Sequence, residues 1–211
     1  MGSLLMHVCV SNIVKEKLNL TNKFLVGTVM PDLIKLEKDE RTKSHYLKKF
    51  VYNNGVKELP DINKFITDNK DNLNDEEKLG YLAHLIEDRI WFEKYIPKYI
   101  KCMNNNENLV ICLKNGCFKD AKQFTNELYS DYMKIGDYII DKYNINSKKI
   151  REDLYYYLKK DIYREIVNKY ILDKQYINDK EMFFFTTQDI NYYIKESVNE
   201  VLKILSEILG E

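Results

Sequence analysis

The sequence predicts an all-α fold, a single-domain helical bundle. Three observations point there: Pro and Gly are scarce, at 3 and 7 of 211 residues; apolar residues recur at three- and four-residue spacing; and only 182–185 reads as a short strand-like or loop-packing run. With 45% apolar residues, 211 positions are enough for one well-buried domain and few for two, so residues 1–211 are expected to form one domain.

The first helix is expected over 4–18. An irregular segment, 19–73, follows it, containing "FLVGTVMPDLI" and "RTKSHYLKKF", and is too long for an inert connector. A second long helix starts at "NDEE", with Asn74 as cap and Glu77 at the capping-box position, and runs to about Ile100, where Pro97 bends or ends it. Two more are expected over 118–143 and 147–172. The last spans Thr187–Leu209 behind Thr186, an N-cap with Asp189 three residues on. "CMNNNEN" and "KYNINSKK" read as exposed turns.

Composition narrows the functions. Lys+Arg and Asp+Glu both number 33, so no global field favours nucleic acid or anionic membrane, and strong nucleic-acid binding is not expected. Cys9, Cys102, Cys112 and Cys117 form no C-x-x-C pair and are too sparse for a disulfide framework, which favours reduced thiols and a cytoplasmic location. The opening "MGSLLMHVCVSNIVKEK" resembles neither a signal peptide nor a spanning helix, and is expected to belong to the fold. The apolar stripe of the last helix has mixed-charge neighbours, which favours burial over membrane adsorption. Oligomeric state is not readable.

Chemistry concentrates in "GYLAHLIEDRIWF". Tyr81, His84, Asp88 and Trp91 share a helical stripe, with Leu79, Leu82, Ala83, Ile86 and Ile90 covering the neighbouring faces. Burying a carboxylate beside an imidazole is costly without a partner. A core hydrogen bond would lessen that cost, and a divalent cation would offset it more completely. The three histidines all lie in the first 84 residues: His45 in "KSHY", downstream of Asp32 in "MPDL", and His7 on the core-facing stripe of the first helix. Asp131 interrupts the apolar face Phe124, Leu128, Ile135, Tyr138, either as a hydrogen-bonded buried carboxylate or as a further ligand.

The order "MH", G-x-x-x-PD, "SHY", "GYLAHLIEDRIWF" resembles the zinc-dependent phospholipase C family, closely its shorter bacterial members, over residues 1–95 and around "DYMKIGDYI". That family is all-helical and shares its fold with single-strand-specific zinc nucleases. The resemblance implies that Asp32, His45, His84 and Asp88 hold one zinc and that His7 matches the histidine serving another. No histidine follows His84, so a trinuclear cluster is not expected, and one zinc, or two with His7 and Asp131 on the second, is. Fe or Mn suits the same donors. The implied activity is hydrolysis of a small phosphate ester, phosphodiester or phosphomonoester, by hydroxide generated at the metal, with Asp32 or Asp88 orienting it or accepting its proton. Lys35, Arg41, Lys43 and Arg89 are candidates to neutralise the phosphate, and Tyr81 and Trp91 to floor a pocket. Two other readings remain: a non-catalytic scaffold with a structural metal, and a His-Asp phosphohydrolase acting on nucleotides. The second needs an adjacent His-Asp dipeptide, which the chain lacks.

Overall fold

Helix α1 (Leu4–Lys17) starts where Ser3 Oγ accepts the Met6 N–H at 3.2 Å. Every residue from Leu4 through Val10 is buried, so α1 is the central rod and not a surface helix. Helix α9 (Thr187–Leu209) lies against it and has the expected bounds: Thr186 and Asp189 form a reciprocal capping box, and Gly210 closes the end at φ 75°. Ile190, Tyr193, Ile194, Val198, Val201 and Leu205 are buried, which accounts for the apolar stripe. The computed structural model describes residues 3–52, 55–103, 106–113, 116–171 and 182–210. Among them helices dominate, and no helix is long and apolar enough to cross a membrane.

The segment expected to be irregular is largely ordered. Helix α2 (Asn22–Lys38) runs through it with Pro31 inside, and α3 (Arg41–Ser44) is one short turn. Strands β1 (Leu47–Tyr52) and β2 (Gly55–Pro60) then form an antiparallel hairpin in the register Leu47↔Pro60 to Tyr52↔Gly55, before α4 (Ile62–Asp68). Helix α5 (Glu76–Ile90) is capped by Asp75, whose carboxylate accepts the Glu77 N–H at 2.9 Å, one residue later than expected. It loosens into a π turn over Trp91–Tyr95 and ends in a 3-10 turn, Ile96–Lys98, around Pro97.

A second antiparallel sheet was not anticipated: β3 (Ile100–Met103), β4 (Asn106–Cys112) and β5 (Phe118–Asp120) pair in that order. Positions 104 and 105 of the expected turn lie outside the described residues. Helix α6 (Ala121–Lys142) follows, then α7 (Ser147–Tyr157) and α8 (Asp161–Tyr170). The expected continuous helix over 147–172 is broken at buried Leu158, whose backbone is extended. Arg164 donates to Leu158 O at 3.1 Å and to Tyr155 O at 3.3 Å, satisfying carbonyls that the break leaves open. Position 172 is outside the described residues.

What positions the site is the crossing of α2 and α5. A Cβ on Gly27 would sit 1.9 Å from Glu77 O, and one on Gly80 1.9 Å from Phe24 O, so only glycine permits this approach. One turn further along both helices, Thr28 O meets His84 Nδ1 at 2.8 Å. One turn beyond that on each helix stand Asp32 and Asp88, whose carboxylates reach within 3.4 Å and 3.7 Å of His45 Nε2.

Candidate metal centre

Helix α5 carries His84, Glu87 and Asp88 on one buried face, at i, i+3 and i+4. Helix α2 brings Asp32, and α1 brings His7. His45 sits at the C-terminal cap of α3 and is held from several sides. Tyr81 O–H donates to Ser44 O, the Asp61 N–H donates to Tyr46 O at 2.9 Å across the base of the hairpin, and Tyr46 takes φ 50°. Tyr81 is therefore a clasp on the His45 loop and not a pocket floor. Trp91 is core as well. Its Nε1 donates to Tyr132 Oη at 2.9 Å, and its ring packs among Tyr95, Phe185 and Tyr193.

The tautomers follow from the partners. His84 Nδ1 faces a carbonyl, so it must be the N–H, which leaves Nε2 bare. Ser44 Oγ stands 2.9 Å from His45 Nδ1 and 3.4 Å from Arg41 O; donating to the carbonyl, it accepts from Nδ1–H, and in that arrangement the second Nε2 is bare too. The two Nε2 atoms stand 3.4 Å apart, His45 Nε2 lies 3.4 Å from Asp32 Oδ1, and Asp88 Oδ2 is 3.7 Å from His45 Nε2 and 3.8 Å from His84 Nε2. Donors bound at ~2.1 Å to one tetrahedral ion stand ~3.4 Å from each other. Two lone pairs facing each other beside two carboxylates call for a cation.

His7 extends the cluster. Its ring stacks on His84 at 3.9 Å, Nε2 is 3.4 Å from Asp88 Oδ1, and Nδ1 is 2.9 Å from Glu87 Oε2. His7 Nε2 and Asp32 Oδ1 are buried without a hydrogen-bond partner among the described residues. Two overlapping sets, His7 with Asp32 and His84, and His45 with His84 and Asp88, thus fit a divalent transition metal by donor type and spacing, with His7 Nε2 and Asp32 Oδ1 orphaned.

Electrostatics keep Asp32 anionic and His84 neutral, and leave His7 protonated. Burial would raise the Asp32 carboxyl, but His45, His84 and His7 hold it down to about 2. Burial, then the charge of His7, pushes His84 down to about 3, keeping its imidazole neutral. Burial would also lower His7, yet Glu87 and Asp88 outweigh it and hold the ring up to about 10. Burial chiefly lifts Glu87 to about 7.

Asp131 does not join the cluster. Its carboxylate accepts the backbone N–H groups of Phe183 at 2.8 Å, Phe184 at 2.7 Å and Phe185 at 3.4 Å, and so tethers the 182–185 run as a packed loop. This corrects the expectation that Asp131 helps His7 hold a second metal: its lone pairs are taken by amides from a distant segment. Asp131→Ala is expected to lower stability by about 3 kcal/mol, through loss of charge-assisted hydrogen bonds and undocking of Phe185. Metal content should not change. Thermal unfolding with elemental analysis checks both, and loss of metal in a folded variant would return Asp131 to the centre.

The candidate phosphate-binding cations separate into two pairs. Lys43 pairs with Glu40 at 2.9 Å, while Arg89 contacts Glu93 and Pro60 O and lies over the Phe50 ring, so neither serves the centre. Lys35 is partly desolvated and its ammonium is lowered chiefly by burial, within the fields of Asp32, Arg41 and Asp88. Arg41 lies over the Phe92 ring at 5.9 Å.

Sequence reasoning missed Glu87, which is fully buried against His7. The H-x-x-E-D spacing carried the signal, since i+3 and i+4 from His84 share its face. Comparison of the chain with protein-family models, with curated proteins and with solved structures finds no match.

Proposed function

We propose that the chain is a metal-dependent hydrolase of a small phosphate ester, with a fold of the phospholipase C and zinc nuclease type. Asp32, His45, His84 and Asp88 would hold zinc, and His7 with Asp88 offers a second position; iron or manganese suits the same donors. The carrying observation is the convergence of two bare Nε2 atoms and two carboxylates, with Asp32 Oδ1 orphaned.

A cation bound there supplies Lewis acidity towards a phosphoryl oxygen and acidifies water. The chain's residues do the rest. Asp32, at 4% exposure the most open of the five, is placed to take a proton from an entering water. Lys35 and Arg41 supply positive charge beside it for the phosphate. The thiols of Cys9 and Cys112 accord with a cytoplasmic protein.

Near-complete burial of every donor supports a second reading, a closed structural metal in a non-catalytic scaffold. One assay separates them: turnover of generic phosphodiesters and phosphomonoesters with Zn, Mn or Fe(II). On the hydrolase reading, Asp32→Asn lowers kcat by about 10²–10⁴-fold as a lost general base. Lys35→Ala/Arg41→Ala mainly raises KM. Stoichiometric metal with no turnover on any ester makes the scaffold reading the better one.

A further inference from the structure

We infer that Glu87 is a positioning residue for this centre: its carboxylate accepts the Nδ1–H of His7 and thereby turns His7 Nε2 towards Asp88 as a cation ligand. The inference rests on the metal-centre reading and adds a residue to it.

Glu87 is fully buried, Oε2 is 2.9 Å from His7 Nδ1, and Oε1 has no hydrogen-bond partner among the described residues. A carboxylate in that setting is costly, and the ring of His7 is its visible compensation. The geometry also selects a tautomer. With Glu87 in place, Nδ1 keeps its hydrogen, so the proton that a cation would displace is the one on Nε2, 3.4 Å from Asp88 Oδ1. Without it, the neutral ring can carry its hydrogen on Nε2 and donate to Asp88, becoming a core hydrogen bond and no longer a ligand. All three histidines are oriented through Nδ1: His84 by Thr28 O, His45 by Ser44 Oγ and His7 by Glu87 Oε2. Only His7 has a carboxylate, the partner that raises ligand basicity most.

The test is a double-mutant cycle on chelator-stripped full-length protein, titrated with Co(II). It reads Kd by chelator competition and the visible ligand-field spectrum. Glu87→Ala is expected to weaken binding about 10–100-fold and shift the spectrum, the usual range for losing an outer carboxylate. Glu87→Gln, whose amide oxygen still accepts from Nδ1–H, should fall between the wild type and alanine. In a His7→Ala background Glu87→Ala should change nothing further, because Glu87 acts through His7. Equal losses with and without His7 overturn the inference, as does full affinity in Glu87→Ala. If Glu87→Ala loses its circular dichroism, Glu87→Gln carries the same cycle. Failure of the wild type to bind cobalt at all overturns the metal-centre reading and this role with it, whereas binding that ignores Glu87 overturns only the role.

Discussion

Replacing Asp88 by alanine is expected to abolish tight cation binding, and with it any metal-dependent turnover. One carboxylate here serves three imidazoles: Oδ1 is 3.4 Å from His7 Nε2, and Oδ2 is 3.7 Å and 3.8 Å from those of His45 and His84. Burial would raise its carboxyl, but opposing positive charge and the hydrogen bond from His7 hold it well below the usual range, so the site keeps it as an anion. Losing an inner ligand with its charge should cost more than the ~100-fold that ends the range for outer partners. The cation-free protein should weaken too, by about 3–5 kcal/mol, because buried His7 loses a counter-charge. Asp88→Asn keeps the shape and removes the charge, and should lose the cation while retaining the helix. Chelator competition and thermal unfolding report the two effects separately. A folded Asp88→Asn or Asp88→Ala protein that binds within ~3-fold of the wild type would remove Asp88 from the centre.

The second large effect is mechanical. Gly80→Ala is expected to cost about 3 kcal/mol or more, the upper range for overpacking. Its new Cβ would lie 1.9 Å from Phe24 O and 2.9 Å from Thr28 N, and backbone atoms of a packed helix cannot swing aside. At 2–4 °C per kcal/mol for a chain of this size, the midpoint should fall by ~10 °C. Cation affinity should fall as well. The bond from His84 to Thr28 O lies in the same crossing, and parting α2 from α5 carries Asp32 away from Asp88. Gly136→Ala is the control. Its Cβ would meet only Leu5 Cδ2 at 3.6 Å, so helix propensity should make it neutral or stabilising by about 0.5–1 kcal/mol. If Gly80→Ala melts with the wild type, the close crossing does not hold the site together.

The His84–Asp88 pair and His7 were legible because titratable residues on core-facing positions are costly alone, while joining them to Asp32 and His45 rested on the family resemblance. Thr187–Leu209 was legible to the residue because its capping box and terminal glycine are local signals. What failed was non-local. Helix α2 was hidden by Gly27 and Pro31, whose poor propensity is outweighed by packing on α5, and nothing near Gly27 in sequence announces Gly80. The hairpin from Leu47 to Pro60 lacks clean alternation, since "LKKFVY" sets two lysines side by side, and its pairing belongs to two segments together. The oddity of Asp131 was visible, but the amides that occupy it belong to residues 52 to 54 positions away. The break at Leu158 has no Pro or Gly to mark it, and Arg164 stabilises it from the next helix.

The most direct test of the centre is elemental analysis of tag-free protein purified without added metal, beside His84→Ala. His84 Nε2, 3.4 Å from His45 Nε2, belongs to the core of the proposed site and to no other visible function. One to two equivalents of zinc, iron or manganese in the wild type, lost in the variant, is the result expected. No metal in the wild type after reconstitution with each ion would contradict it, and would leave the histidines and aspartates as a proton-sharing core cluster.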